Sequence, residues 1–253
     1  DPGEQVFVSI PLVPGMNALS FAVPASAVAG QTFARFRCST NGGLSFIGLS
    51  PDGEVEDYSV YIEPAEVYKW VQHPDTSPLG IDVNATSEYI LADDFLCKTT
   101  EAITAIRIWG SWYHDVLPFK DPSQVVFRLS FHKDIPADQS PTGYSMPGEV
   151  LWYNEFQPGS FLVKEYMANI NEGWMDPPEL YEFPGDHVCW QYDFDLTRMP
   201  FIQTGTPERP IVYWLDLQAV PLMTDSRFGW KTSIEHWNDD AVWGTGVEPY
   251  PGP

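Results

Sequence analysis

Positive charge is scarce in this sequence: 13 lysines and arginines stand against 35 aspartates and glutamates, giving a net charge of −22 over 253 residues. A surface this acidic repels the phosphates of nucleic acids and of anionic membranes, and it attracts divalent cations. The sequence also has no apolar run long enough to span a bilayer. We therefore expect neither nucleic-acid binding nor membrane insertion.

Short catalytic motifs are also missing. The sequence has no Gly-x-Ser-x-Gly elbow, no phosphate-binding glycine loop and no His-Glu-x-x-His motif. Several histidines stand near acids, but none has the fixed spacing of a zinc site; these pairs are His114–Asp115, His132–Asp134, Asp186–His187 and His236 with Asp239 and Asp240. With 35 acids, a carboxylate pair at a glycosidase separation is expected by chance. The sequence predicts no enzyme.

Cysteine is rare, with three residues in the chain. Cys38 shares a strand face with Phe36, which predicts a small core residue. Cys97 shares a strand face with Phe95 in the same way, which again predicts a small core residue. The sequence allows a Cys97–Cys189 disulfide without establishing it, and buried free thiols are the alternative.

Short segments in which apolar residues alternate with other residues, separated by frequent turns, make up most of the chain. Val125, Phe127, Leu129 and Phe131 alternate with other residues at the period of a half-buried strand. Similar apolar stripes occupy Ile106–Trp112, Val188–Leu196, Ile211–Leu217 and Phe228–Trp230. The 24 prolines and 19 glycines are scattered, as in folds of many short strands. We predict an all-β protein with a real hydrophobic core.

The pattern favours two antiparallel β-sandwich modules of the jelly-roll or Ig-like type. The first is predicted over residues 1–63, with strands at Val6–Ile10, Ala18–Val23, Thr32–Cys38 and Val55–Ile62. Glu63-Pro64-Ala65-Glu66 is predicted to be a linker, because proline ends a sheet ladder. The second module is predicted over residues 67–253, with a short helical turn near Asn169–Glu172.

The densest acidic run is Asp52-Gly53-Glu54-Val55-Glu56-Asp57-Tyr58. Strand alternation puts Glu54 and Glu56 on one face and Asp57 on the other. Hard oxygen ligands at a loop–strand junction suit calcium, so Asp52, Glu54, Glu56 and Asp57 are candidate ligands. The alternative is a solvated strand end that pairs with Arg35 and Arg37.

Aromatic residues offer a second candidate site. Trp109 and Trp214 fall on strand faces opposite their apolar stripes, where exposed rings could stack on a sugar. The alternative is that these faces are covered and the rings belong to a core. Asp93 and Asp94 point to opposite faces of one strand, so one of them is expected to be buried in a structural role.

Phe33-Ala34-Arg35-Phe36-Arg37, followed by the acidic run, resembles the C-terminal half of the GEVED domain. GEVED domains are β-sandwich modules of large secreted or cell-surface bacterial proteins. In that family an aspartate- and glycine-rich segment precedes an element like Asp1-Pro2-Gly3-Glu4-Gln5. That segment is not found here, so the resemblance implies an incomplete first module. It also implies that Asp1 or Glu4 contributes to the calcium site.

Four segments of the second module also carry a resemblance: Trp70–Asp75, Ala92–Phe95, Ile108–Trp112 and Trp237–Trp243. They resemble an uncharacterised domain that follows GEVED modules in surface proteins of environmental bacteria. This implies secretion and a β-sandwich, but no activity.

These resemblances lead us to expect a non-enzymatic extracellular structural or adhesive protein of the bacterial surface or matrix, such as a filament or surface-layer subunit. The alternative is a carbohydrate-binding module that recognises glycans. An incomplete sandwich leaves strand edges unpaired, so strand addition in a head-to-tail contact is expected to drive self-association. The simpler alternative is that residues before Asp1 in the same polypeptide complete the module.

Overall fold

The computed structural model describes residues 5–15, 17, 19, 21, 23–24, 27–28, 30–45, 47–50, 52–62 and 68–251. The regular structure of these residues is almost entirely β-strand, with two short 3-10 turns at Tyr113–Asp115 and Pro118–Lys120. The all-β prediction is therefore confirmed. The chain divides into two compact units, Asp1–Tyr68 and Lys69–Pro253, called unit 1 and unit 2 below.

Unit 1 contains an antiparallel hairpin of β1 (Gly30–Cys38) and β2 (Glu54–Ile62). Phe36 and Tyr58 meet on one face, with ring centroids 5.5 Å apart. The guanidinium of Arg37 donates to carbonyl oxygens of the connecting loop, 2.7 Å from that of Gly48. The predicted strands at 32–38 and 55–62 are thus confirmed.

The other two predicted strands of the first module are not found as strands among the described residues. Val6–Ile10 is not a strand, because the backbone bends at Ser9, where φ is +50°. Residues 19, 21 and 23 of the Ala18–Val23 segment are not in a strand, while residues 18, 20 and 22 lie outside the described residues. The predicted linker, residues 63–66, lies outside them too.

Unit 2 carries the remaining strands: β3 (Ile81–Asn84), β4 (Tyr89–Cys97), β5 (Ala102–Ile103), β6 (Ala105–Trp112), β7 (Val125–Ile135), β8 (Met146–Phe156), β9 (Phe161–Asp176), β10 (Leu180–Asp195), β11 (Phe201–Ile202), β12 (Ile211–Pro221), β13 (Phe228–Lys231) and β14 (Val242–Thr245). The predicted apolar stripes fall in these strands, except that Leu196 lies just past the end of β10. The predicted helical turn near Asn169 is wrong, since that segment lies inside β9, the first arm of a long hairpin with β10.

Two larger sheets organise unit 2. One has five strands in the order β14-β4-β12-β7-β8, and every neighbouring pair is antiparallel. The other closes into a ring in the order β10-β6-β13-β3-β9, with one parallel contact between β3 and β9. A simple sandwich would keep both layers open. Closure of the second layer creates an interior separate from the apolar core.

The apolar core of unit 2 is rich in aromatic side chains from both sheets. Phe127 of β7 is fully buried and contacts the rings of Tyr192, Phe194 and Phe228, with centroids 4.9–5.4 Å apart. On β6, Ile106, Ile108 and Trp112 also lie in this core. Because side chains alternate along a strand, the intervening residues of β6 face away from it.

A smaller apolar cluster covers another face of the five-stranded sheet. Trp214, Ile90, Met146 and Tyr250 pack together there. The backbone N–H of Gly246 donates to the carbonyl of Glu88 at 2.8 Å, which places the segment 246–250 against this sheet. No helix among the described residues has the length and apolar sequence that crossing a membrane requires.

Candidate functional site

A group of charged side chains fills the interior of the closed sheet. β13 directs Phe228 and Trp230 into the apolar core, so alternation turns Lys231 to the other side. There it meets Asp82 of β3, Glu172 of β9 and Asp186 of β10. We call these four residues the acidic cluster.

Lys231 holds the centre of the acidic cluster. Its Nζ atom donates to Oδ2 of Asp82 and, at 2.5 Å, to Oε2 of Glu172. The side chains of all three residues are fully buried, and so is Asp186. Formally, three carboxylates surround one ammonium, which leaves an excess of negative charge in a site without water contact.

Burial sets the protonation of the acidic cluster. Desolvation, reinforced by the charge of Asp82, holds the pKa of Asp186 well above its usual range. Desolvation also raises the pKa of Glu172 to about 7, against the opposing effect of Lys231. Burial by itself lowers the pKa of Lys231, but Asp82 and Glu172 outweigh it and the pKa is raised. The site therefore keeps Lys231 charged and at least one carboxyl protonated.

With every carboxyl group ionised, several polar atoms of this interior lack a hydrogen-bond partner. They are Oδ1 of Asp82, Oε1 of Glu172, both carboxyl oxygens of Asp186 and Oγ of Ser111. A proton on Asp186 supplies a donor to the neighbouring carboxyl groups. Unpartnered buried oxygens are costly, so they need protons, an ion or new bonds. One oxygen from each of the three carboxylates lies within 4.8 Å of the others, close enough to hold a metal ion. A cation there would have to share the site with the Lys231 ammonium.

A second buried network combines Ser130 and His132 of β7, Asp216 of β12 and Glu248 of the segment 246–250. Nε2 of His132 is 2.7 Å from Oδ2 of Asp216 and 2.9 Å from Oγ of Ser130. The composition is that of a Ser-His-Asp triad. The roles differ, because Nδ1 donates to the carbonyl of Gly148 at 2.8 Å and Nε2 faces the carboxylate. Both ring nitrogens are donors, so the ring cannot take a proton from Ser130.

Charge in this second network is balanced internally. Desolvation lowers the pKa of His132, but the bond to Asp216 outweighs it and the pKa is raised. Burial raises the pKa of Glu248, reinforced by Asp216. An imidazolium, a carboxylate and a neutral carboxylic acid therefore coexist with Ser130, each with a partner. The network fixes the 246–250 segment against the sheet, since the backbone N–H of Tyr250 donates to Asp216 at 2.8 Å.

Family models match both parts of the chain. A domain of unknown function, DUF7901, matches residues 68–251, and the GEVED domain matches residues 1–61. The chain belongs to the DUF7901 family. The predicted succession of a GEVED module and an uncharacterised domain is confirmed. No curated protein and no solved structure matches the chain at a significant level.

The acidic cluster of the DUF7901 domain escaped prediction because its members are scattered. Asp82 and Lys231 lie far from the other members in the sequence, and Glu172 and Asp186 face each other only across the β9–β10 hairpin. No local signal marked them: Asp82 alternates with Ile81 and Val83 as a solvent-facing acid would, and its burial comes from the closure of the sheet around it.

The structure separates the four predicted calcium ligands, which lie in the GEVED-matching unit rather than in DUF7901. Glu54 and Glu56 share a face, where the bond and charge of Glu54 raise the pKa of Glu56. Asp57 faces the other way and pairs with Arg35 at 2.7 Å, which lowers the pKa of Asp57. Asp52 accepts from the backbone N–H of Thr40 at 3.3 Å.

Two further points bear on the calcium prediction. Asp1 and Glu4 lie outside the described residues. Among the described residues, the three-carboxylate group suited to a metal is Asp82, Glu172 and Asp186 of DUF7901. The acidic run contributes none of its members, so calcium at residues 52–57 stays a prediction.

The sugar platform predicted for DUF7901 at Trp109 and Trp214 is wrong, because a stacking platform needs exposed rings. Trp109 is 8% exposed and packs edge-on against Tyr166 at 5.9 Å. Trp214 is fully buried, and its Nε1 donates to Asp134 at 2.9 Å. Both do lie on the predicted faces, but those faces are covered.

The cysteines of the chain are all free. Cys38 is exposed, so its predicted core position is wrong. Cys97 and Cys189 of DUF7901 are buried without a disulfide. Burial raises the pKa of the Cys189 thiol, which keeps it protonated and inert. Of the two aspartates on β4, Asp94 is buried and Asp93 is partly exposed, as predicted.

Proposed function

We propose that this DUF7901 protein is a non-enzymatic structural or adhesive component of the bacterial surface or extracellular matrix. One observation carries the proposal: the groups with the composition of catalytic sites, around Lys231 and around His132, are sealed from solvent. A catalytic group has to touch its substrate. The same side chains are well placed to hold strands together. The pairing with GEVED supports an extracellular setting, as expected from the sequence resemblance.

Self-association through unit 1 is part of this proposal. The β1–β2 hairpin leaves Phe33, Phe36 and Val55 at least 47% exposed, and its outer edges have no paired strand among the described residues. A strand from a second copy would satisfy these edges and cover the apolar side chains.

Sedimentation of the purified chain over a range of concentrations tests this proposal, with electron microscopy of the heavier species. We expect concentration-dependent assembly that Phe33→Ser and Phe36→Ser together abolish. Phe119→Ser is the matched control, because Phe119 is 64% exposed but lies in unit 2. A monodisperse monomer at all concentrations would remove self-association from the proposal.

Carbohydrate binding is the second candidate, supported by a different place in unit 2. A pocket of about 330 Å³ is lined by aromatic and acidic side chains, including Tyr144, Trp243, Asp239 and Asp240. Tyr144 is 48% exposed and Trp243 is 42% exposed, so their rings are accessible. Rings that stack on a sugar and carboxylates that accept from its hydroxyls make a suitable pair.

A glycan array tests this candidate directly. We expect binding to a subset of glycans that Trp243→Ala and Asp240→Asn each reduce at least tenfold, about 1.4 kcal/mol. Leu79→Ala, at a residue that is 83% exposed and outside the pocket, should bind like the original protein. An array without specific signal would leave the structural proposal alone.

A further inference from the structure

We propose that Nζ of Lys231 and Cγ of Asp82 join in an amide bond, which crosslinks β13 covalently to β3. The two residues are directly opposite each other in this antiparallel pair. Nζ contacts Oδ2 of Asp82, and both side chains are fully buried. An amine and a carboxyl group are thus held together where solvent does not reach them.

The surrounding backbone fixes this arrangement. A Cβ atom on Gly229 would lie 2.7 Å from Cβ of Asp82 and 2.7 Å from the ring of Trp174. Glycine at 229 therefore lets Asp82 and Trp174 pack against β13 at close range. Two groups held in contact in this way react as though each were present at roughly 10⁵–10⁸ M.

The reaction balances within the acidic cluster. The ammonium of Lys231 and the carboxylate of Asp82 condense to an amide and one water molecule. The Nζ lone pair attacks Cγ, a C–N bond forms, and one C–O bond of Asp82 breaks. Two of the three ammonium protons end on the departing oxygen, and the third stays on the amide nitrogen. No oxidant, reductant or outside reactant is required.

The other two carboxyls supply the proton transfers. Oε2 of Glu172 is 2.5 Å from Nζ, so it takes the proton that frees the lone pair. Asp186 lies beside Asp82 within the 4.8 Å group. As a neutral acid it donates a hydrogen bond to the Asp82 carboxyl and stabilises the oxyanion that forms on attack. Each of the four members then has a defined role.

Two other states of the acidic cluster compete with the crosslink. One is a permanent ion pair, which keeps a charged pair in a site that penalises charge. The amide replaces both charges with a neutral group, and the released water gains freedom. The other is a divalent cation between the carboxylates, which the ammonium between Asp82 and Glu172 disfavours by repulsion. The geometry therefore points to the amide.

The crosslink would tie together the ends of a long chain segment. Asp82 lies in the first strand of unit 2 and Lys231 near its end, 149 residues apart. Extension by pulling could not separate β3 from β13 without breaking a covalent bond.

Mass spectrometry of the denatured full chain tests the proposal. We expect the intact mass to be lower than the sequence mass by one water molecule. A proteolytic digest should contain a branched peptide that joins the segments around Asp82 and Lys231. This second readout matters because Asp52-Gly53 can lose water by cyclising, and the digest distinguishes the two sites. A folded chain with the full sequence mass would overturn the proposal.

Substitutions test the role of individual residues in the crosslinking reaction. Lys231→Met should restore the full mass at this site, and Glu172→Gln should slow crosslinking by about 10²-fold or more while the circular dichroism spectrum stays native. Lys164→Met, at an exposed position of β9, should still lose the water. If Glu172→Gln crosslinks as fast as the original protein, the assigned proton transfer is wrong. An unreduced mass together with a melting temperature that falls in excess chelator would identify a cation site and overturn the crosslink.

Discussion

Carboxylates gather in two regions of this molecule, and they do so in different ways. The run from Asp52 to Asp57 is dense along the chain, but the β1–β2 hairpin distributes it over both faces and into solvent. Asp82, Glu172 and Asp186 come from three strands and meet in a closed interior. A dense run of acids in the sequence shows only that the segment is charged. A candidate site forms where acids from different strands come close together in the folded structure.

The two regions also differ in what surrounds each acid. In unit 1 the neighbouring guanidinium of Arg35 lowers the pKa of Asp57, as in an ordinary surface ion pair. In unit 2 desolvation dominates and raises the pKa of Asp186 despite Lys231. The same residue type therefore stays charged in one region and carries a proton in the other.

The largest difference between the two regions is expected when the cation of each region, Lys231 or Arg35, is removed. Lys231→Met leaves three buried carboxyl groups without a counter-charge and also removes the proposed crosslink, so we expect it to lower the free energy of unfolding of unit 2 by at least about 3–5 kcal/mol. Arg35→Met removes the exposed cation of unit 1 and should leave the urea midpoint unchanged within error. Equal losses of unfolding free energy for the two substitutions in urea unfolding would mean that burial does not distinguish the two cations.

A smaller loss is expected from the second buried network. Asp216→Asn keeps the shape but removes the anion that faces the His132 imidazolium. We expect a destabilisation of about 3 kcal/mol, together with loosening of residues 246–250. Urea unfolding and hydrogen exchange at Tyr250 measure the two effects. Glu155→Gln, beside the partly exposed Arg128, is a control that should change little. Native exchange at Tyr250 in Asp216→Asn would mean that other contacts hold the segment.

Stability should depend on pH with opposite sign in the two regions. Desolvation raises the pKa of Asp94 to about 7 and that of Asp93 to about 6. The folded state then holds protons that the unfolded chain releases near pH 4, so stability falls as pH rises from about 4 to 7. Asp57 has a lowered pKa and loses its contribution only as pH falls below about 4.

Thermal melts between pH 5 and pH 8 report on the groups whose pKa is raised by burial. We expect the melting temperature of unit 2 to decrease across this range, and Asp94→Asn to flatten the decrease. The raised pKa of Glu172 acts in the same direction, so some slope should remain. A melting temperature that rises from pH 5 to pH 8 would show that Asp93 and Asp94 are not protonated in the folded state.

The smallest effect is expected from calcium at the acidic run. Glu54 and Glu56 face the same side of β2 and can share a cation, which should relieve their mutual repulsion. Millimolar calcium should shift the amide resonances of these two residues without a large change in melting temperature. The double variant Glu54→Gln and Glu56→Gln should abolish the shifts. Identical spectra in calcium and in chelator would end the calcium prediction for this run.

Strand positions were the most predictable part of the molecule. Val125–Phe131 alternates cleanly because one face of β7 meets the aromatic core, and a period of two is visible in any short window. The covering of Trp214 was not predictable in the same way, since Met146 and Tyr250 lie far from it in sequence. Alternation shows which face a side chain takes, but not what lies over that face.

The acidic cluster was out of reach for the same reason. Its four members meet only because the sheet closes on itself through the parallel β3–β9 contact. Long-range pairing of this kind leaves no local pattern around Asp82 or Lys231. The acidic run, by contrast, is conspicuous in the sequence and unremarkable in space.

The arrangement of the strands around the closed sheet also favours an order in which they pair during folding. β9 and β10 are neighbours in the chain and can pair early, because a hairpin has a low loop-closure cost. β13 comes later and has to slot between β6 and β3. Asp82, Glu172 and Asp186 are therefore in place before Lys231 can join them. We expect the closure of the sheet by β13 to be the slow, final step of folding.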